Sequence, residues 1–163
     1  MTGEFAVTSR TYTTVAGQSS TFGTGVPAVP VSAGLKAGGL ATIASLKDSA
    51  VATVQAARPA TFRTNFGLVE VTGRPAKVRV TISFYVSSGP SSNVVNRSRD
   101  YDLAANQFML LNGIVEQILG GRGTYGDLSG IDLTFQVTEG DGAVVPFTSS
   151  VDNGTGDTIL RLE

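Results

Sequence analysis

Cysteine, histidine and tryptophan are all absent from these 163 residues. Without cysteine there is no disulfide, no thiolate nucleophile and no thiolate metal site. Without histidine the commonest general base and the commonest transition-metal ligand are missing. Charge is also thin: 15% of residues are charged, and 12 Lys and Arg are offset by 13 Asp and Glu. Binding to a phosphate backbone or an anionic membrane surface draws on a local cation excess. The densest basic stretch, Arg97-Ser-Arg99, is followed at once by Asp100 and Asp102. A nucleic-acid partner is therefore not expected. Membrane insertion is not expected either, since no apolar run approaches the ~20 residues that span a bilayer. The opening Met-Thr-Gly-Glu-Phe has neither a basic nor an apolar leader region. Leu162-Glu163 and Glu4-Phe5 resemble residues left by cloning sites, so a longer natural protein is expected and the missing leader carries little weight.

What is present favours sheet. Apolar residues make up 41% of the chain and glycine 20 positions, with abundant Val, Thr and Ser, the composition of strands joined by tight turns. A chain of this length supports one core, so residues 1–163 are expected to form a single antiparallel β-sandwich, excised from a longer protein. The clearest strand runs over 76–86, where Val78, Val80, Ile82, Phe84 and Val86 alternate with Lys77, Arg79, Thr81, Ser83 and Tyr85. Phe62 to Thr72 precedes it across Gly73-Arg74-Pro75, which predicts a hairpin; Gly67 inside that run predicts a bulge or a close backbone approach. Residues 133–137 and 143–151 read as a second hairpin, with Pro146 placing its second strand at an edge or a bulge. Phe108, Leu111, Val115 and Ile118 recur at helical spacing, predicting one amphipathic helix over about 107–119, capped by Asn106 and stopped at Gly120-Gly121. Weaker strand signals lie near 5–15, 26–31 and 40–46.

The candidate sites are few. Asp152, Asn153 and Asp157, in Val151-Asp-Asn-Gly-Thr-Gly-Asp157, offer oxygen ligands of the kind Ca²⁺ accepts. The spacing lacks an EF-hand's full pattern and its glutamate, and an Asx-rich turn is the simpler reading. The pairs Asp100 with Asp102 and Glu139 with Asp141 supply two carboxylates each, the minimum for glycoside hydrolysis, but they read as solvated charge. Gly120-Gly-Arg-Gly123 lacks the lysine and the strand-to-helix setting of a phosphate loop. Lys36, Lys47 and Lys77 read as exposed, leaving Ser and Thr without a base. Arg63 and Asn65 form a polar cluster inside a strand-like run and read as an internal strut, with Glu70, Asp152 or Asp157 as partners for the arginine. No catalytic residue and no cofactor beyond that candidate Ca²⁺ is expected.

The motifs Ser9-Arg-Thr-Tyr12, Thr21-Phe-Gly23 with Val26-Pro-Ala28, Phe62-Arg-Thr-Asn-Phe-Gly-Leu68 and Ser150-Val-Asp-Asn-Gly-Thr-Gly-Asp157 resemble those of β-sandwich modules repeated in large bacterial secreted and cell-surface proteins. The chain departs from that pattern at Ser149-Ser-Val-Asp-Asn153, and at Glu70, where asparagine is usual. The resemblance implies a non-catalytic, secreted or cell-surface spacer or adhesion module whose partners are a protein or glycan surface or neighbouring copies of itself. The alternative expectation is a carbohydrate-active or Ca²⁺-dependent domain working through Asp100, Asp102, Asp152 and Asp157.

Overall fold

The computed structural model describes residues 8–14, 21–49, 62–88, 91–123, 125–152 and 158–163. Along them run β1 (Thr8–Thr14), β2 (Thr21–Pro27), β3 (Leu40–Asp48), β4 (Phe62–Glu70), β5 (Ala76–Ser88), β6 (Ser91–Leu103), β7 (Phe108–Leu111), a helix α1 (Ile114–Leu119), β8 (Leu128–Gly140), β9 (Val144–Asp152) and β10 (Thr158–Leu162). Two four-stranded antiparallel sheets, ordered β10-β9-β4-β7 and β3-β8-β5-β6, pack as a β-sandwich, and β1 pairs with β2 in a hairpin of its own.

The period-2 alternation of β5 and β8 decides what fills the space between the sheets. Val78, Val80, Ile82 and Phe84 point inward beside Ile131, Leu133, Phe135 and Val137, while Phe66 and Leu68 of β4 face them from the other sheet; none is more than 1% exposed. Phe66 meets Tyr101 edge-on at 5.6 Å between ring centres, the arrangement that aromatic quadrupoles favour. On the side where β7 and β6 form the sheet edges, α1 closes the sandwich by burying Ile114, Val115 and Ile118.

Four expectations need correction. The run over 62–72 and the strand at 76–86 are not a hairpin, because β4 and β5 lie in different sheets; the same holds for β8 and β9. β5 pairs instead with the strand that follows it, β6, and β9 with β10. Short connections suggested pairing, but each one carries the chain across the sandwich. Next, only the second half of the expected 107–119 helix is helical. Phe108–Leu111 pairs instead with β4 along Phe66–Val69, and Gly113, at φ 73°, turns the chain before α1 begins. Backbone bonds to the open edge of β4 outweigh the helical spacing of four apolar residues. Asn106 is then no helix cap; it sits at φ 57° in the β6–β7 turn. Gly120 does end the helix, in the left-handed conformation. Finally, β9 is an interior strand of its sheet. Pro146 is tolerated there because its carbonyl accepts from Glu163 N at 3.4 Å, so its ring nitrogen faces the side where β10 is ending, and no bond to β4 is lost.

Gly67 is the close approach anticipated. It lies opposite Phe147 in the β4–β9 register, and a Cβ there would overlap the Phe147 ring and come within 2.9 Å of the Met109 carbonyl. Phe147 covers the bare backbone and stacks on Phe108 at 5.9 Å. Gly67→Ala is expected to destabilise the domain by about 2 kcal/mol, as overpacking forces Phe147 off its seat. Urea unfolding measures this; an unchanged midpoint would show that the ring moves freely.

Candidate functional site

The Phe62-Arg-Thr-Asn-Phe-Gly-Leu68 segment becomes the interior strand β4, and from Thr64 to Leu68 every residue is buried. Arg63 is exposed, which corrects the expectation of an internal strut: as the strand alternates, Arg63 leaves the sheet on its outer side near the strand end. Its anticipated partner Glu70 bonds elsewhere. The structural polar role passes to Asn65, 8% exposed, whose Oδ1 accepts from Gly113 N at 3.1 Å, and to Thr64, fully buried. Thr64 Oγ1 donates to the Lys47 carbonyl at 2.6 Å and lies 2.9 Å from Ser150 Oγ. Its amide donates to Asp48 Oδ2 at 3.0 Å, so one residue of β4 stitches the end of β3 to β9. Asp48, 3% exposed, also forms an ion pair with Arg122. Arg122 further donates to Glu116 Oε1 at 3.1 Å and to the Gly126 carbonyl at 2.9 Å. Burial pulls the Arg122 guanidinium below its ordinary range, against the opposing pull of Asp127.

At the far end of β4 stands Glu70, 2% exposed. Burial by itself raises its carboxyl pKa, but hydrogen bonds from the Thr72 hydroxyl and from the amides of Asn106, Thr72 and Gly73 overcome that and hold it at about 2. The bonds run 2.5 Å from Thr72 Oγ1, 2.7 Å from Thr72 N, 2.8 Å from Asn106 N, 2.9 Å from Gly73 N and 3.2 Å from Arg74 N. Thr72 Oγ1 in turn accepts from Ala143 N at 3.0 Å. One carboxylate thus gathers the connections after β4, β6 and β8.

On the side opposite α1, β3 and β10 are the sheet edges, and β2 packs against β10. Arg161 Nη1 of β10 bridges the two edges by donating to the Ala44 carbonyl at 2.7 Å. A cleft of about 330 Å³ opens there. Ser45, Leu46 and Lys47 form its β3 wall, with Phe62, Ser150 and Asp152 on the floor and Ile159 and Arg161 opposite. The β3 wall is irregular: the register with β8 shifts on either side of Leu46, and Ser45 has φ 59°, a left-handed conformation that costs a non-glycine residue energy. Its amide donates to Asp132 Oδ1 at 3.1 Å. Lys47 Nζ sits 5.2 Å from the centre of the Phe62 ring, and among the described residues neither Lys47 nor Arg161 forms an ion pair.

The candidate carboxylates among the described residues do not converge. Asp152 lines the cleft, half-buried, while Asn153 and Asp157 lie outside the described residues. Asp100 and Asp102 are on the outer face of the other sheet. Asp100 accepts from Arg79 at 2.8 and 2.9 Å, bonds that hold its carboxyl below the usual range. Asp102 and Glu139 flank Lys77 at 3.8 and 3.3 Å. These belong to a cross-strand row of polar side chains that continues through Thr81 with Ser98 and Thr134 with Thr42. Among the described residues no group of three or more carboxylates is placed to hold a metal ion. None of their helices is long and apolar enough to cross a membrane.

A second depression, about 430 Å³, lies on the outer face of the β10-β9-β4-β7 sheet and is apolar, with Val69, Phe108, Val145, Phe147, Leu160 and Leu162 among its walls. Sequence reasoning missed both depressions. The cleft joins residues 45–47 to residues 159–161, and nothing in either stretch refers to the other. The one local trace was Asp152, read as part of a turn.

No protein-family model matches the chain, and no curated protein does. A solved structure, that of Thermotoga maritima 1070, is similar over 80% of this chain and 92% of that one, at 13% identity and a TM-score of 0.45.

Proposed function

We propose that this chain is a non-catalytic interaction module of an exported bacterial protein, one that engages a protein or glycan surface through the side of its sandwich edged by β3 and β10. The observation that carries the reading is the cleft between β3 and β10, where two cations that form no ion pair among the described residues, a carboxylate, hydroxyls and apolar walls converge in about 330 Å³. Pockets that recognise ligands combine apolar walls with a few polar groups aimed inward. The motifs shared with secreted bacterial modules support the same reading, because Phe62–Leu68 serves as an interior strand, a structural use of the motif. Secretion or cell-surface display follows from that resemblance. Binding measured against a panel of glycans and extracellular proteins, together with sedimentation velocity, tests the proposal. Saturable binding or self-association is expected; a domain that binds nothing and stays monomeric at all concentrations would count against it.

A further inference from the structure

The geometry points to a ligand class for the cleft: we infer that it binds a uronate unit of an acidic glycan, with Lys47 and Arg161 holding the sugar carboxylate. The inference rests on reading the chain as an interaction module. Lys47 and Arg161 contribute two positive charges and Asp152 one negative, so the cleft presents a net charge of one and suits a singly charged acid better than a doubly charged phosphate. Arg161 commits Nη1 to the Ala44 carbonyl, which fixes the guanidinium plane and leaves its other N–H groups as donors. Lys47 is steadied over the Phe62 ring and keeps three ammonium donors. Charge-assisted bonds from both to one carboxylate are the stronger class of hydrogen bond.

The remaining groups call for a polyhydroxylated body rather than a bare acid. The Ser150 hydroxyl, although 2.9 Å from Thr64 Oγ1, has more acceptor positions than one partner fills. Ser45 adds a hydroxyl from a strand whose left-handed residue and register shifts open the wall. Leu46, Phe62 and Ile159 supply apolar surface for the C–H face of a ring. The cleft sits at the lower end of ligand-pocket volumes, about 300 Å³ upward, which fits one sugar unit with its chain continuing out along the sheet edges.

Calorimetric titration of the whole chain with tetragalacturonate, its methyl ester and tetraglutamate tests this, alongside Lys47→Gln, Arg161→Gln and, as a control, Lys36→Gln. Lys36 is exposed beside Leu35, which pairs with Val144 at the opposite end of β9. Tetragalacturonate is expected to bind. Its methyl ester and the two cleft variants should each bind roughly tenfold or more weakly, with Lys36→Gln unchanged. Backbone amide NMR shifts of the wild type on adding tetragalacturonate should map to residues 44–47 and 159–161, a readout independent of any variant. Tetraglutamate binding as tightly as tetragalacturonate would replace the glycan with an acidic peptide. Unaltered affinity in both variants, or shifts elsewhere, would move the site. If uronates fail while other glycans or proteins bind, this inference falls and the interaction reading stands; if nothing binds, both fall.

Discussion

Glu70→Ala is expected to lower the unfolding free energy by about 4 kcal/mol, because it strips the one buried carboxylate that accepts from four amides and a hydroxyl. Glu70 is 2% exposed and takes donors from the connections after β4 and β6. Through Thr72 it also steadies Ala143, after β8. Losing it therefore loosens three chain crossings at one end of the sandwich. The effect has a pH signature. The folded carboxyl lies at about 2, below its ordinary 4.5, so the anion stabilises the fold fully above pH ~4.5 and the contribution fades as pH falls toward 2. The gap between 4.5 and about 2 corresponds to roughly 3 kcal/mol. Urea unfolding at pH 7, 4, 3 and 2 should show the wild type losing this amount, while Glu70→Gln, starting lower, loses less over the same interval. Parallel acid limbs for the two proteins would mean that Glu70 is not held as an anion by its neighbours.

Arg122→Met should cost a comparable amount, about 3–5 kcal/mol, since removing one member of a buried ion pair leaves the other charged in a dry site. Asp48 would keep the Thr64 amide at 3.0 Å but lose its only cation among the described residues. Arg122 also ties α1 to the segment before β8 through Glu116 and Gly126, so the variant should unfold from the helix side first, with faster amide exchange in α1. The companion variant Asp48→Asn removes the charge while keeping an acceptor. Combined with Arg122→Met it should be less destabilising than the two single costs added together, by about 1–3 kcal/mol. A double-mutant cycle from chemical unfolding gives this number directly, and strict additivity would show that the pair does not act as a unit.

The residues that bear these effects differ in how plainly the sequence announces them. Glu70 entered the sequence reading as a partner for Arg63, and its actual role was invisible. Its donors come from residues 72–74 and 106, and backbone amides leave no mark in a sequence. Asp48 drew no attention, and Arg122 stood only within the rejected phosphate-loop candidate Gly120-Gly-Arg-Gly123, because their partnership spans 74 positions. Arg63 drew attention for its neighbours on the strand, but alternation turns only Thr64 inward; Arg63 and Asn65 share the outer face, where Arg63 is exposed and Asn65 is buried with its Oδ1 accepting from Gly113 N. Of the cleft cations, Lys47 read as an exposed charge and Arg161 was not singled out, since nothing local ties residue 47 to residue 161.

The amino-acid sequence by itself determined the β character of the chain, the inward set of β5 and β8, the need for glycine at position 67 and the stop at Gly120. Each of these follows from local physics: period-2 burial, the steric reach of a Cβ, and the left-handed turn that ends a helix. Only the tertiary structure decided which sheet each strand joins, whether Phe108–Leu111 becomes helix or strand, and which polar side chains meet. Backbone hydrogen bonds offered by a strand edge are equally available to any extended segment. The choice among segments is therefore made by packing across the whole sandwich, where β4 and β5, joined by Val71–Pro75, gain more by facing each other across the core than by pairing side by side.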